Sequence, residues 1–402
     1  MEPILPATEA RAPPALANHL LEEILVRIHD PTDLARATAM SKTFRRLVTD
    51  PNFLRRYRSI HPPILLGFID HSSVRGFLPV DAPHPNAPAA HGFAGAAEFT
   101  YDYIPRSRRW GWAPYDARDG RVLLMICEYN AGLVSPEFAV CGPLTRGYTL
   151  LPPIPDDVLA SVGAQVPDGE HVGIFNAFFD HLGGNGGDED AQFRVMCCMP
   201  CVSLAAVFVY SSVFDSWTHG TSIVYAALGL NVQLENHLML CRRHSWAYGC
   251  VYWDVGISNK MIKLDINSMA ATTFSLPADH ENRETNVVDA GEGKIGMLSL
   301  SASFYDTLPL RYSIQQNESE NASEHLVETT ISLPCECDYC FAGSENGYVF
   351  LKGLQGGPFV TSAAFSVEIK TLKVERVCVL SSKIGYVVPY FGFPPFMSPR
   401  RI

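Results

Sequence analysis

Charge is scarce in this sequence. Asp, Glu, Lys and Arg make up 18% of its 402 residues, against 47% apolar. That balance excludes an extended disordered chain, which needs low hydrophobicity and high charge, and implies a buried core. Clustered cations are scarcer still. The net charge is −11, and residues 1–60 hold nine Lys/Arg against seven Asp/Glu, leaving 22 against 35 in the remainder. So acidic a body excludes a nucleic-acid backbone as its main ligand, because phosphate binding needs grouped Lys and Arg. It leaves a basic protein partner open. Long hydrophobic runs are also missing: the longest, Val202 to Phe214, contains serines and stops at Asp215. It is too short to span a bilayer, so no membrane partner is expected. The opening Met1-Glu2-Pro3-Ile4-Leu5-Pro6 lacks the cationic and apolar segments of a secretory signal. The eleven cysteines, an odd count, are therefore expected as reduced thiols of a cytoplasmic or nuclear protein.

Catalytic signatures are absent too. There is no Gly-x-Ser-x-Gly elbow and no His-Glu-x-x-His pair. The glycine run 183–187 is followed by Asp188, Glu189 and Asp190, not by Lys-Ser/Thr, which excludes a phosphate cradle. Cys335, Cys337 and Cys340 could join Cys197, Cys198 and Cys201 around a zinc ion, but the two groups lie roughly 135 residues apart. Burial within strands is the expected fate of these thiols. Trp110, Trp112, Trp246 and Trp253 are expected in strand packing rather than on a ligand face. The basic run Arg45, Arg46, Arg55, Arg56 and Arg58 reads as a solvated helix surface. No catalytic, cofactor-binding or metal-binding residue is assigned, and no cofactor is expected.

What is present begins after a Pro/Ala-rich lead-in, residues 1–15. Leu21, Ile24, Leu25 and Ile28 recur at i, i+3, i+4 and i+7, the spacing of one helix face. Asp30-Pro31-Thr32-Asp33 is a start signal for a second helix: a capping carboxylate, Pro at the first position, and an acid near the positive end. A second stripe runs through Leu34, Ala37, Met40, Phe44 and Leu47. Asp50-Pro51 repeats the start signal and opens a third helix. Three helices in about 45 residues bury little surface by themselves, so part of their apolar face is expected to be completed elsewhere.

The runs Leu20-Leu21-Glu22-Glu23-Ile24-Leu25-Val26-Arg27-Ile28, Asp33-Leu34-Ala35-Arg36-Ala37 and Ser41-Lys42-Thr43-Phe44-Arg45-Arg46-Leu47-Val48 resemble an F-box. Ala17 stands where that family usually has Pro, Ser41 where it has Cys, and Phe44 where it has Trp. The resemblance implies a helical module over residues 16–60 that docks on a Skp-type adaptor, and through it on a cullin. Leu16, Leu20, Leu21, Ile24, Leu25, Ile28, Leu34 and Phe44 would form the docking surface.

From Ile64 onward helical periodicity gives way to short strand candidates separated by Gly, Pro, Asn and Asp. Residues 79–97 read as a long loop, and so do 181–190 and 315–328. Strand pairs recur at Arg121–Ile126 with Phe138–Cys141, at Phe193–Cys197 with Val207–Ser212, at Cys250–Asp254 with Lys260–Asp265, at Gly291–Leu300, and at Asn346–Leu351 with Ala364–Val377. Units of roughly 45–60 residues follow, about six of them between residues 62 and 395. Radial stacking of small antiparallel sheets buries such strands without long open edges. Ile64–Ile69 and Gly385–Tyr390 are expected to share one blade and close the ring; a pair of β-sandwiches is the competing architecture. The pattern is similar to the F-box-associated, kelch-like β-propellers of plant F-box proteins. That resemblance implies a non-catalytic substrate receptor of a ubiquitin ligase whose propeller captures a target protein. A scaffold acting outside any ligase and an enzyme housed in the propeller are the alternatives.

Overall fold

In a computed structural model of the chain, the structure describes residues 17–29, 31–70, 76–105, 111–126, 136–163, 165–166, 175–180, 192–230, 244–254, 259–277, 283–301, 309–316, 325–334, 337–355, 362–380 and 386–393. The chain divides into two units, Met1–Pro63 and Ile64–Ile402.

The first unit is helical: α1 Asn18–Leu25, α2 Pro31–Met40, α3 Lys42–Val48 and α4 Pro51–Ile60. The sequence reading expected three helices. Ser41 divides the middle one because it leaves helical geometry at φ −146° and accepts the Phe44 N–H on its hydroxyl, forming an N-cap. Asp50 caps α4 in the same way, accepting from Asn52 N at 2.8 Å. Leu25, Val26, Leu34, Leu47, Val48, Phe53 and Tyr57 form the buried centre. Tyr57 ties α4 back to the end of the first helical segment, donating its hydroxyl to Ile28 O at 2.8 Å. His61 adds a 2.6 Å contact from Nε2 to Val26 O. Arg56 pairs with Glu23 at 2.6 Å and joins α4 to α1 along the outside.

The second unit is a six-bladed β-propeller. Blade 1 is β3 Ala113–Arg118, β4 Arg121–Ile126, β5 Glu137–Gly142 and β6 Gly147–Leu150, and blade 2 is β7 Asn176–Phe179, β8 Arg194–Pro200, β9 Leu204–Ser211 and β10 Ser216–Val224. Blade 3 contains β11 His244–Ala247, β12 Cys250–Asp254, β13 Lys260–Asp265 and β14 Ala271–Ser275. Blade 4 contains β15 Arg283–Asp289, β16 Lys294–Ser301, β17 Leu310–Gln316 and β18 His325–Ile331. Blade 5 is β19 Cys337–Glu345, β20 Tyr348–Gln355, β21 Ser362–Glu368 and β22 Val374–Leu380. In each, consecutive strands pair antiparallel.

Blade 6 closes the ring from both ends of the unit. Its strands β1 Ile64–Asp70, β2 Phe77–Pro79 and β23 Val387–Gly392 pair in the order β2-β1-β23, with Phe68 opposite Pro389 and Ile69 opposite Val388. The expected sharing of one blade is therefore observed, with three strands among the described residues instead of four. Tyr390 continues the closure into blade 1 by donating to Gly120 O at 2.9 Å, across 270 positions of sequence.

Apolar side chains pack between neighbouring blades. Phe138, Phe208 and Trp217 lie between blades 1 and 2, and Leu298, Leu351 and Val367 between blades 4 and 5. Three features depart from the sequence reading. Residues 79–97 contain a helix, α5 Ala87–Ala94, because Ala87, Ala90 and Phe93 recur at three-residue intervals and bury one face. A further helix, α6 Asp156–Gly163, follows directly on Leu151-Pro152-Pro153-Ile154-Pro155 and buries Leu159 and Val162. The polar stretch 315–328 is shorter than expected, since Gln315 and Gln316 end β17 and residues 325–328 begin β18. The glycine-rich stretch 183–187 lies outside the described residues.

Candidate functional site

Two places concentrate the features a partner could use: one edge of the helical unit and one mouth of the propeller channel. On the helical unit, the sequence pattern marks a broad apolar face of α1, and burial divides it. Leu25 is 3% exposed and Leu34 is fully buried, so both hold the unit's own core. Leu21, Ile28 and Phe44 are half-buried. Leu20 and Ile24, one turn apart, are 43% and 55% exposed, and Met40 is exposed at the end of α2. Leu16 lies outside the described residues. Of the expected docking residues, Leu20 and Ile24 therefore offer the most free apolar surface. Arg45 and Arg46 are exposed on α3, as a solvated face requires.

In the propeller, the first strand of blades 1 to 5 and the last strand of the unit lie innermost: β23, β3, β7, β11, β15 and β19 follow one another around the axis. β7 meets β11 through a stacked pair, Phe178 on His244 at 4.2 Å. Side chains of inner strands also clasp the backbone of the next blade. Asp116 on β3 accepts from Phe179 N at 2.7 Å, and Ser245 on β11 accepts from Val287 N at 3.0 Å. Asp116 additionally accepts from Ala117 N at 2.8 Å. Burial pushes its carboxyl up to about 6, against the opposing pull of those two N–H groups and of Arg118.

Where the following residues are described, the inner strands β3, β11, β15 and β19 end in tight turns at one mouth of the channel. Asp119-Gly120 follows β3 and Asn346-Gly347 follows β19, each with positive φ at both residues, the geometry of a two-residue type I′ hairpin. Between these turns lies a cavity of about 150 Å³ lined by Arg118, Trp246, Asp289, Glu345, Asn346 and Tyr348, among others. Glu345, the last residue of β19, is enclosed by protein on most sides and keeps a partial opening to the cavity. Burial pushes its carboxyl up to about 8; Arg118 draws it down, and Asp116 and Asp119 push it further up. Arg118 itself lies 3.8 Å from Asp119. Asp289 accepts from Gly291 N at 2.7 Å.

The sequence reading did not foresee this cavity. Trp246 packs against Phe178 at 5.6 Å, as expected, and also lines the cavity; Trp112 and Trp253 are buried as expected, and Trp110 lies outside the described residues. The cysteines proposed as alternative zinc ligands fall in different blades. Cys197, Cys198 and Cys201 are buried in or beside β8, while Cys337 and Cys340 lie on β19, and Cys335 is outside the described residues. No group of three or more His, Cys, Asp or Glu side chains suited to a metal ion occurs among the described residues. No helix among them is long and apolar enough to cross a membrane.

No protein-family model matches the chain, and no curated protein matches it. Solved structures do. A fungal lectin from Aleuria aurantia, described as a six-bladed β-propeller, is 12% identical at a TM-score of 0.36, covering 68% of this chain and 80% of the lectin. An exo-β-1,3-galactanase from Phanerochaete chrysosporium is 10% identical at a TM-score of 0.37, covering 68% of this chain and 62% of the enzyme. TolB from Acinetobacter baumannii is 10% identical at 0.34, covering 68% of this chain and 54% of TolB. The chain thus spans less than two thirds of the galactanase and of TolB. At these values the similarity is one of fold alone.

Proposed function

We propose that this protein is a non-catalytic substrate receptor of a Skp–cullin–F-box type ubiquitin ligase. In this reading the helical unit docks on a Skp-type adaptor, and the propeller holds a target protein near the ubiquitin-charged enzyme. The observation that carries it is the exposure of Leu20 and Ile24 on a small helical unit whose sequence resembles an F-box. Fully burying an aliphatic side chain contributes about 1.5–3 kcal/mol, so two half-exposed ones at the centre of an interface are a substantial share of a docking energy. Leu25 and Leu34 serve the same interface indirectly, by holding α1 and α2 in place. The propeller acts by proximity: tethering a target raises its effective concentration at the ligase without chemistry of its own.

The test is reconstitution. The purified full-length chain mixed with a purified Skp-type adaptor and cullin should elute with them as one complex on size exclusion. Association with the adaptor but not the cullin would favour a scaffold outside the ligase, and elution of the chain alone would overturn the proposal.

A further inference from the structure

We propose that the channel mouth between the β3–β4 and β19–β20 turns is a binding site for a basic side chain, the guanidinium of Arg or ammonium of Lys, presented by a protein partner. This deepens the substrate-receptor reading by naming the chemistry of what the propeller captures, and it takes its biological setting from that reading. Its physical basis is separate.

Four observations converge. The cavity, about 150 Å³, has the size of one long side chain's head and not of a nucleotide or a folded segment. Its lining carries two carboxylates, Asp289 and Glu345, against one cation, Arg118. Arg118 already faces Asp119. Two aromatic residues, Trp246 and Tyr348, line the cavity, and a ring face attracts a cation through its quadrupole. Finally, the Glu345 carboxyl accepts no hydrogen bond from any described residue, although it is largely enclosed. An enclosed carboxyl without a donor is costly to ionise, and an incoming cation supplies both the charge and the N–H groups it lacks. An anionic ligand would meet the carboxylates, and a purely apolar one would leave Glu345 unanswered.

The groups facing Glu345 are Asp116 and Arg118 on β3, Asp119 in the adjoining turn, Asp289 on β15 and Tyr348 on β20. Because Glu345 holds its proton up to about pH 8, binding a cation below that pH expels the proton. Apparent affinity for a basic ligand therefore rises with pH and levels off above about 8.

The experiment is a ligand-observed saturation-transfer titration of the full chain. The probes are N-acetyl-arginine methylamide and N-acetyl-lysine methylamide, with N-acetyl-leucine methylamide as control. The expected result is saturable binding of the basic probes at concentrations up to about 10 mM, weakened roughly tenfold or more by Glu345→Gln, with the pH dependence abolished in that variant. Tyr348→Ala, at a 37% exposed position where folding is least at risk, should weaken binding independently. Equal response to the leucine control, no binding of the basic probes, or basic-probe affinity unchanged in both variants would overturn the proposal. The titration contains no adaptor, and adaptor binding involves none of these residues, so failure here and failure of the ligase reading are separate results.

Discussion

The backbone N–H of Phe179 donates to Asp116 Oδ2 at 2.7 Å, so that the inner strand of one blade is held by a carboxylate of the blade before it. Asp116→Ala would leave the Phe179 N–H without its acceptor at the buried blade junction. It should cost about 1–3 kcal/mol of stability, whereas Asp116→Asn keeps an acceptor oxygen and should cost less. Urea denaturation midpoints of the two variants check the order.

Glu345 gives the propeller a pH-dependent liability. Its carboxyl titrates near 4.5 when unfolded and near 8 when folded, so the folded state favours the protonated acid. Its contribution is fully present below about 4.5 and is lost as pH rises through about 8, with a limiting slope of ~1.4 kcal/mol per pH unit. Glu345→Gln removes that slope. Thermal melts across this range should show the variant gaining on the wild type as pH rises, with little difference at the acidic end.

Ring closure rests partly on one phenol. Tyr390 packs against Phe77 at 5.8 Å, Phe93 at 5.2 Å and Phe99 at 5.6 Å while its hydroxyl reaches Gly120 O. Tyr390→Phe keeps the ring contacts and deletes the hydrogen bond, and should lower stability by about 1 kcal/mol. Hydrogen exchange in β1 and β3 should report the loosening before a global melt does.

In the helical unit, Tyr57→Phe removes the bond to Ile28 O and should likewise cost about 1 kcal/mol. A unit this small has little reserve, so amide exchange in α1 and α4 should accelerate while the propeller's amides are unchanged.

These residues also show where sequence reasoning reached and where it stopped. The middle strands of the blades were legible because they bury continuous apolar runs, such as Leu204–Ser211 and Arg121–Ile126. The inner strands β3, β7, β11 and β15 were not. They carry Asp116, Asn176, Ser245, Thr285 and Asn286, polar residues that break the apolar pattern, and Asp116, Asn176 and Ser245 reach groups of the neighbouring blade. A strand without apolar alternation, placed just before a Gly-containing two-residue turn and an apolar run, is the signal that could have found them: Asp119-Gly120 and Asn346-Gly347 mark two such places. The cavity stayed hidden for the same reason. Arg118, Trp246, Asp289 and Glu345 come from four different blades, and no spacing along the chain brings them together. The helical head was readable from periodicity and caps, but periodicity marks an apolar face without saying which edge of it turns inward. Only burial separates Leu25 from Ile24.

That separation supplies the most direct measurement. The double variant Leu20→Asp, Ile24→Asp changes exposed side chains, so it should keep the wild-type melting profile while losing association with a Skp-type adaptor in a pull-down with purified components. Wild-type binding together with its loss in this folded variant is the predicted result. Adaptor binding retained by the double variant, or absent from the wild-type chain, would contradict the account.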